Sequence, residues 1–178
     1  TYSFSRIDGE EKIIEVMVRQ FFQKFDLSMK IRAQKLGWKL EQVVTLASII
    51  EKETGVPEER PLISSVFHNR LKKKMRLQSD PTTIYGIANF NGNITKADLQ
   101  RPSAYNTYTI NGLPPGPIGN PGEAALRAAL FPTTSDYLFF VSNNLGAHIF
   151  SRTYAEHVRH VNSFQTTLPI SRLRKHRK

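Results

Sequence analysis

Among the acidic residues of this 178-residue chain, Glu51 combines a reactive group with an apolar setting. Placed on a helical wheel at about 100° per residue, Leu40 to Thr54 puts Val43, Val44, Leu46, Ala47 and Ile50 on one arc. Glu51 falls between Leu40 and Val44, inside the edge of that arc, while Glu41, Thr45, Ser48 and Lys52 take the opposite, solvent-facing side. A carboxyl group on an apolar flank is partly desolvated, which disfavours its charged form. Breaking a glycosidic bond calls for such a group, because a general acid must still hold its proton near neutral pH. The plainer alternative is a glutamate in the last turn of a helix, paired with a nearby lysine or arginine, and periodicity alone leaves both open. Glu53 lies farther from the centre of the arc, beside Leu46, and ranks second.

Composition narrows the chemistry further. With no cysteine, the chain has no thiol nucleophile, disulfide or cysteine-based zinc site. His68, His157, His160 and His176 lack metal-ligand spacing, and His148 reads as a structural histidine with the option of a hydrogen bond near a site. A pyridoxal-phosphate lyase would need a Schiff-base lysine and a phosphate cup, and neither a glycine-rich phosphate loop nor a lysine in an apolar pattern is present. No cofactor and no metal are therefore expected. No apolar run reaches the roughly 18 residues of a membrane span. Half of the net charge of +10 comes from Arg172, Arg174, Lys175, Arg177 and Lys178. That tail reads as a solvated terminus, so no nucleic-acid partner is expected. The chain starts at Thr1, which suits a fragment or a processed product.

The elements that must position Glu51 are mostly helices. Ile13, Ile14, Met17, Val18, Phe21 and Phe25 recur at helical spacing across Glu10 to Phe25, and Leu40 to Thr54 forms a second, more apolar helix. Pro57 and Pro61 suit the start of a third, with Leu62, Ile63, Val66, Phe67 and Leu71 as its buried stripe and Lys72 to Lys74 as its end. Asp80-Pro81 reads as a cap followed by proline, starting a short helix through Tyr85. Leu113 to Gly122 is a Pro- and Gly-rich loop, and Asn120 with Glu123 reads as a capping box for a helix over Ala124 to Leu130. Tyr137–Val141 and His148–Phe150 flank a turn and predict a β-hairpin, and Thr153 with Glu156 caps a last helix through Val161. The expected fold class is α+β: a mostly helical domain with short strands and a C-terminal hairpin.

Several ordered blocks carry a family resemblance: Leu46-Ala47-Ser48-Ile49-Ile50-Glu51-Lys52-Glu53-Thr54, Ser65-Val66-Phe67-His68-Asn69-Arg70-Leu71, and Met75-Arg76-Leu77-Gln78-Ser79-Asp80-Pro81-Thr82. Tyr105-Asn106-Thr107-Tyr108, Gly112-Leu113-Pro114-Pro115-Gly116-Pro117-Ile118 and Gly146-Ala147-His148-Ile149-Phe150 continue it. Together they resemble the endolytic murein transglycosylases, the YceG-like family; Ala147 stands where that family often has glycine. The resemblance implies that Glu51 is the catalytic acid/base, that Gln78, Tyr105, Asn106, Thr107 and Asn69 bind sugar, and that Asp80, Pro115 and Gly116 organise the site. It also implies that the Gln78, Tyr105 and Asn106 side chains lie close to Glu51.

The activity so implied is lytic: one acid protonates the leaving oxygen of a MurNAc–GlcNAc β-1,4 bond within a peptidoglycan strand. The same group then takes the proton of the MurNAc C6 hydroxyl, which closes a 1,6-anhydro ring without water. A hydrolytic muramidase, which needs a second carboxylate such as Asp80 or Glu53, and a non-catalytic peptidoglycan-binding module are the alternatives. Residues 1–30 are expected to include the remnant of, or link to, a LysM-like subdomain plus the first helix, residues 31–165 the catalytic domain, and residues 166–178 a basic tail. The resemblance places the protein in the bacterial cell envelope, on the extracytoplasmic face of the inner membrane through an N-terminal anchor outside this chain. Glycan strands and cell-wall synthases are its implied partners.

Overall fold

The computed structural model describes residues 4, 5 and 9–166. Most of the leading segment Thr1–Phe4 and all of the basic tail from residue 167 lie outside the described residues. Among the described residues, eight helices and one hairpin follow in order: α1 Glu10–Lys24, α2 Leu27–Leu36, α3 Leu40–Glu53, α4 Arg60–Lys72, α5 Asp80–Tyr85, α6 Lys96–Gln100, α7 Glu123–Leu130, β1 Phe139–Ser142, β2 His148–Ser151 and α8 Tyr154–Val161. A 3₁₀ turn, Pro57–Glu59, leads into α4, and a π turn, Asn162–Thr166, follows α8. The fold is α+β, with a two-stranded antiparallel sheet that pairs Phe139 with Ser151 and Ser142 with His148. Among the described residues no helix is long and apolar enough to cross a membrane.

Local signals explain most boundaries. Thr153 and Glu156 form the expected capping box, each side chain satisfying the other's backbone N–H. Two helices had escaped the sequence reading. The Asp26 side chain caps α2 through the Met29 N–H at 2.9 Å, and Gly37, in the left-handed region at φ 67°, ends it. Thr95 caps α6. Two expected caps are corrected. The N-cap of α7 is Gly122, so Asn120 forms no capping box with Glu123. Asp80 is the first residue of α5 and not its cap; that position belongs to Ser79, whose hydroxyl is used elsewhere.

The core forms around α3. Val43, Leu46, Ala47, Ile49 and Ile50 are fully buried, and α3 packs against α7, α4 and α5. The wheel's solvent side is overturned for Thr45 and Ser48, which are 1% and 0% exposed. A wheel assumes that one face meets water, whereas α3 is also covered by the 113–122 loop. Ser48 Oγ donates to the Thr45 carbonyl at 2.7 Å and accepts from the Ile118 N–H at 2.9 Å, so its polar group is satisfied inside. That second bond is a long-range tie between the central helix and the loop. Ser48→Ala should leave the buried Ile118 N–H without a partner and lower the unfolding free energy by about 1–3 kcal/mol, read by urea denaturation. An unchanged midpoint would show that the loop does not depend on this bond.

Candidate active site

A pocket of about 460 Å³ opens where the end of α3 meets α4, the 76–80 segment, the hairpin and α8. Its lining includes the polar side chains of Glu53, Arg70, Gln78, Asp80 and Tyr108, together with Phe139, Phe140 and Val141 of β1 and Tyr154 and His157 of α8. The volume falls in the range of about 300–1,000 Å³ usual for ligand pockets. Among the described residues no cluster of three or more His, Cys, Asp or Glu is disposed to hold a metal ion.

Glu53, the last residue of α3, supplies the pocket's distinctive group. Its Oε1 accepts a short hydrogen bond from the Ser79 hydroxyl. Water reaches Glu53 through the pocket, but protein encloses the carboxyl on its other sides. Burial pushes its pKa up from 4.5 to about 7; the Ser79 hydrogen bond opposes the rise, the negative charge of Asp80 adds to it, and the charge of Arg70 opposes it. Near neutral pH a large share of Glu53 is therefore a carboxylic acid.

Arg70 of α4 builds the surroundings. Its Nε donates to the Leu138 carbonyl at 2.6 Å and its Nη1 to the Leu77 carbonyl at 2.8 Å. The same Nη1 reaches the Gln78 side-chain oxygen at 3.3 Å, and the guanidinium lies over the Phe139 ring at 5.1 Å. Gln78 sits in the left-handed region at φ 50°, a conformation that costs a non-glycine residue about 1–3 kcal/mol. That turn is held by Gln78 N–H to the Thr107 carbonyl and Ser79 N–H to the Thr107 hydroxyl, at 3.2 and 3.0 Å. It presents Ser79 to Glu53 and Asp80 to Tyr108, whose hydroxyl donates to Asp80 Oδ1 at 2.6 Å. On the hairpin, His148 also lines the pocket, its Nδ1 2.7 Å from Glu59 Oε2.

Glu51 does not line this pocket. Its Oε1 accepts from Arg60 at 3.1 Å and its Oε2 from the Gly122 N–H, the N-cap of α7, at 3.0 Å. Those contacts match the plainer alternative, a helix-end glutamate paired with an arginine. Asn106 and Thr107, read as sugar contacts, are 1% and 0% exposed. Asn106 Nδ2 donates to the carbonyls of Arg101, Leu99 and Asp98, and its Oδ1 accepts from Thr83 and the Tyr108 N–H. It has no capacity left for a ligand. Asn69 spends its amide on the Ser135 and Tyr137 carbonyls, at 2.8 and 2.9 Å. Tyr105 packs against Tyr85 outside the pocket wall, with a ring separation of 4.7 Å. Pro115 is exposed on the loop, and Gly116 is buried where an added Cβ would meet the Tyr105 hydroxyl at 3.3 Å. Gln78 and Asp80 are the residues of the original set that reach the pocket.

A signal for Glu53 was available. It follows Ile49 by four residues and Leu46 by seven, and both are fully buried, so it continues the most deeply buried row of α3. Arg70, Tyr108 and the hairpin wall had no comparable local mark.

Comparison with known proteins agrees with this architecture. A sequence model of the YceG-like family matches residues 1–163. The chain belongs to the YceG-like family. It is 40% identical over 158 residues to a Bacillus subtilis (strain 168) protein named endolytic murein transglycosylase, covering 88% of this chain and 44% of that one. It is 33% identical over 174 residues to a Streptococcus pneumoniae (strain R6) protein of the same name, covering 89% and 31%. A crystal structure of a YceG-like protein from Listeria monocytogenes superimposes with a TM-score of 0.80 at 41% identity, over 89% of this chain and 51% of that one. The chain thus spans less than half the length of the curated relatives it matches.

The raised pKa of Glu53 has a consequence for stability. Below pH 4.5 the group is protonated in both folded and unfolded chains and contributes no pH dependence. Between pH 4.5 and about 7 the unfolded chain releases a proton that the folded chain keeps, so folding loses stability as pH rises. Glu53→Gln removes this loss while its amide oxygen still accepts from Ser79. The variant should exceed the parent in stability at pH 8 by on the order of 1–2 kcal/mol, with the gap closing by pH 4.5, as measured by thermal or urea unfolding. Because water reaches the carboxyl, this is less than the whole shift would give. A gap that did not vary with pH would mean that Glu53 is not held protonated.

Proposed function

We propose that this chain carries the catalytic site of a peptidoglycan lytic transglycosylase, with Glu53 rather than Glu51 as its general acid. The observation that carries the proposal is the place of Glu53: a largely enclosed carboxyl, bonded by Ser79, in a pocket lined by polar and aromatic side chains, where burial pushes its pKa up to about 7. The names of the relatives support the substrate class: murein, in the cell envelope. Glu53 donates its proton to the glycosidic oxygen of a MurNAc–GlcNAc β-1,4 bond inside a strand. The C6 hydroxyl of the same MurNAc then closes on the anomeric carbon, giving a 1,6-anhydro end. That attack is intramolecular, which removes the entropy cost of holding a water molecule in place. The aromatic side chains suit the apolar faces of sugar rings, and Gln78 offers an amide to their hydroxyl and acetamido groups. Glu51 serves the fold, tying the end of α3 to the start of α7 and to Arg60.

A hydrolytic muramidase is the second reading, favoured by one feature: Asp80 shares the pocket with Glu53. Digestion of purified glycan strands in ¹⁸O-labelled water, read by mass spectrometry, separates the two. Lytic cleavage yields 1,6-anhydro-MurNAc ends free of label; labelled reducing ends would mean hydrolysis. In the same assay Glu53→Gln should reduce turnover by about 10²–10⁴-fold or more. Glu51→Gln should keep most of the turnover and lose only stability, on the order of 1 kcal/mol from its partly buried ion pair. The opposite ranking of the two variants would return the acid role to Glu51. Activity should also fall as pH rises through about 7, where Glu53 gives up the proton it must donate.

A further inference from the structure

We propose that a second cavity, next to the one that holds Glu53, binds a carboxylate of the stem peptide carried by the strand being cut. The proposal rests on the transglycosylase reading above, because it takes a peptidoglycan strand as the ligand. The cavity has a volume of about 370 Å³ and is lined by Arg76, Lys96, Leu99, Gln100, Tyr108 and Thr109. Tyr108 also lines the first pocket, so the two adjoin. It serves each side with a different part. Its hydroxyl donates to Asp80 Oδ1 at 2.6 Å in the first pocket, and its backbone carbonyl accepts from Arg76 Nη1 at 3.0 Å in the second.

The cations of this second cavity are uncommitted. Among the described residues neither Arg76 nor Lys96 is in an ion pair, and the bond to Tyr108 is the hydrogen bond that the Arg76 side chain makes. That bond fixes the guanidinium and leaves its other N–H groups for a ligand. A guanidinium held in this way suits a carboxylate, which it can meet with two parallel bonds. Asp98, the acid of α6, has its carboxylate engaged by the Thr95 N–H and hydroxyl. The sequence adds to the positive field, since Arg70, Lys72, Lys73, Lys74 and Arg76 follow one another with no acid between them. A solvated helix end accounts for Lys72 to Lys74, but not for two cations from different segments around one cavity. The rest of the lining selects among anions. Leu99 gives an apolar contact and Gln100 an amide, which suit a peptide better than a bare phosphate. Peptidoglycan supplies such a group at the required place. Its stem peptide leaves MurNAc through the lactyl ether on C3, and the free carboxylates lie beyond. A MurNAc residue seated at Glu53 thus passes its peptide over Tyr108 into the cavity.

Initial rates of the intact protein test this on two substrates: strands with native stem peptides, and the same strands with the peptide carboxylates converted to methylamides. The parent should show a KM at least about fivefold lower for native strands with kcat unchanged, because a contact made equally before and during reaction affects binding only. Raising the ionic strength to about 1 M should shrink that gap. Arg76→Gln and Lys96→Gln should each raise KM for native strands toward the methylamide value and leave KM for methylamide strands as it was. Arg76→Lys should keep part of the preference, whereas a merely structural role of Arg76 would shift both substrates alike. Lys96→Gln alters an exposed side chain of α6, so it reads the site even if Arg76→Gln fails to fold. Equal KM values in the parent, or an undiminished preference in Lys96→Gln, would overturn the subsite. Equal KM values together with sedimentation on phosphatidylglycerol vesicles, lost in both glutamine variants, would assign the cations to a lipid surface instead. A parent protein that cuts both kinds of strand equally well sinks this proposal alone. One that cuts neither sinks the transglycosylase reading as well.

Discussion

The pocket depends on one buried cation. Arg70 is 7% exposed, and a guanidinium taken out of water at that depth costs several kcal/mol unless its donors are satisfied. They are satisfied by two segments about sixty residues apart in sequence: the carbonyl of Leu138 before β1, and the carbonyls of Arg76 and Leu77 with the side chain of Gln78. One residue of α4 therefore sets the distance between the hairpin wall and the 76–80 segment. The Phe139 ring, lying over the guanidinium, adds an aromatic side chain to the same assembly.

Around that cation the acidic groups are sorted by environment. Glu53 has little water and one hydroxyl donor, and burial pushes its pKa up to about 7, whereas Asp80 lies exposed one residue beyond that donor. Two carboxyl groups in one pocket thus differ by burial rather than by residue type. Glu59 shows a third outcome: against its own burial, the His148 hydrogen bonds hold its carboxyl below the usual range, so it braces β2 as an anion. Glu51 shows a fourth, an ion pair with Arg60 that secures the start of α7. Glu51, Glu53, Glu59 and Asp80, within thirty residues of sequence, thus meet four different environments.

The strained turn at Gln78 connects this sorting to the frame. A left-handed glutamine persists only where its surroundings over-determine it, and here Arg70 and Thr107 do so. Thr107 in turn bonds Thr82, and Asn106 fastens α6 to α5 through its amide. The buried polar residues of the Tyr105–Tyr108 block therefore act as a scaffold for the turn that meets Glu53, which is the physical reason they cannot also face a ligand.

The sequence by itself determined most of the elements and their order, α2 and α6 excepted. Periodicity marked α1, α3 and α4, alternation and turn residues marked the hairpin, and the Thr153–Glu156 pair marked the start of α8, because each of these is a local agreement between residue type and backbone. It also marked two carboxyls at the end of α3, Glu51 and Glu53, as candidates. Which glutamate faces the pocket was left to the tertiary structure, because a wheel measures direction around one helix and not what other elements place there. Ser48 became interior where the 113–122 loop bonds it, and Thr45 is buried as well. Asp80 stands one residue inside α5, with Ser79 at the cap position, and its carboxylate meets Tyr108, 28 residues away. Glu51 met Arg60 and the start of α7, Glu53 met Ser79 and the pocket, and those long-range partners, which no single helix specifies, set the two carboxyls apart.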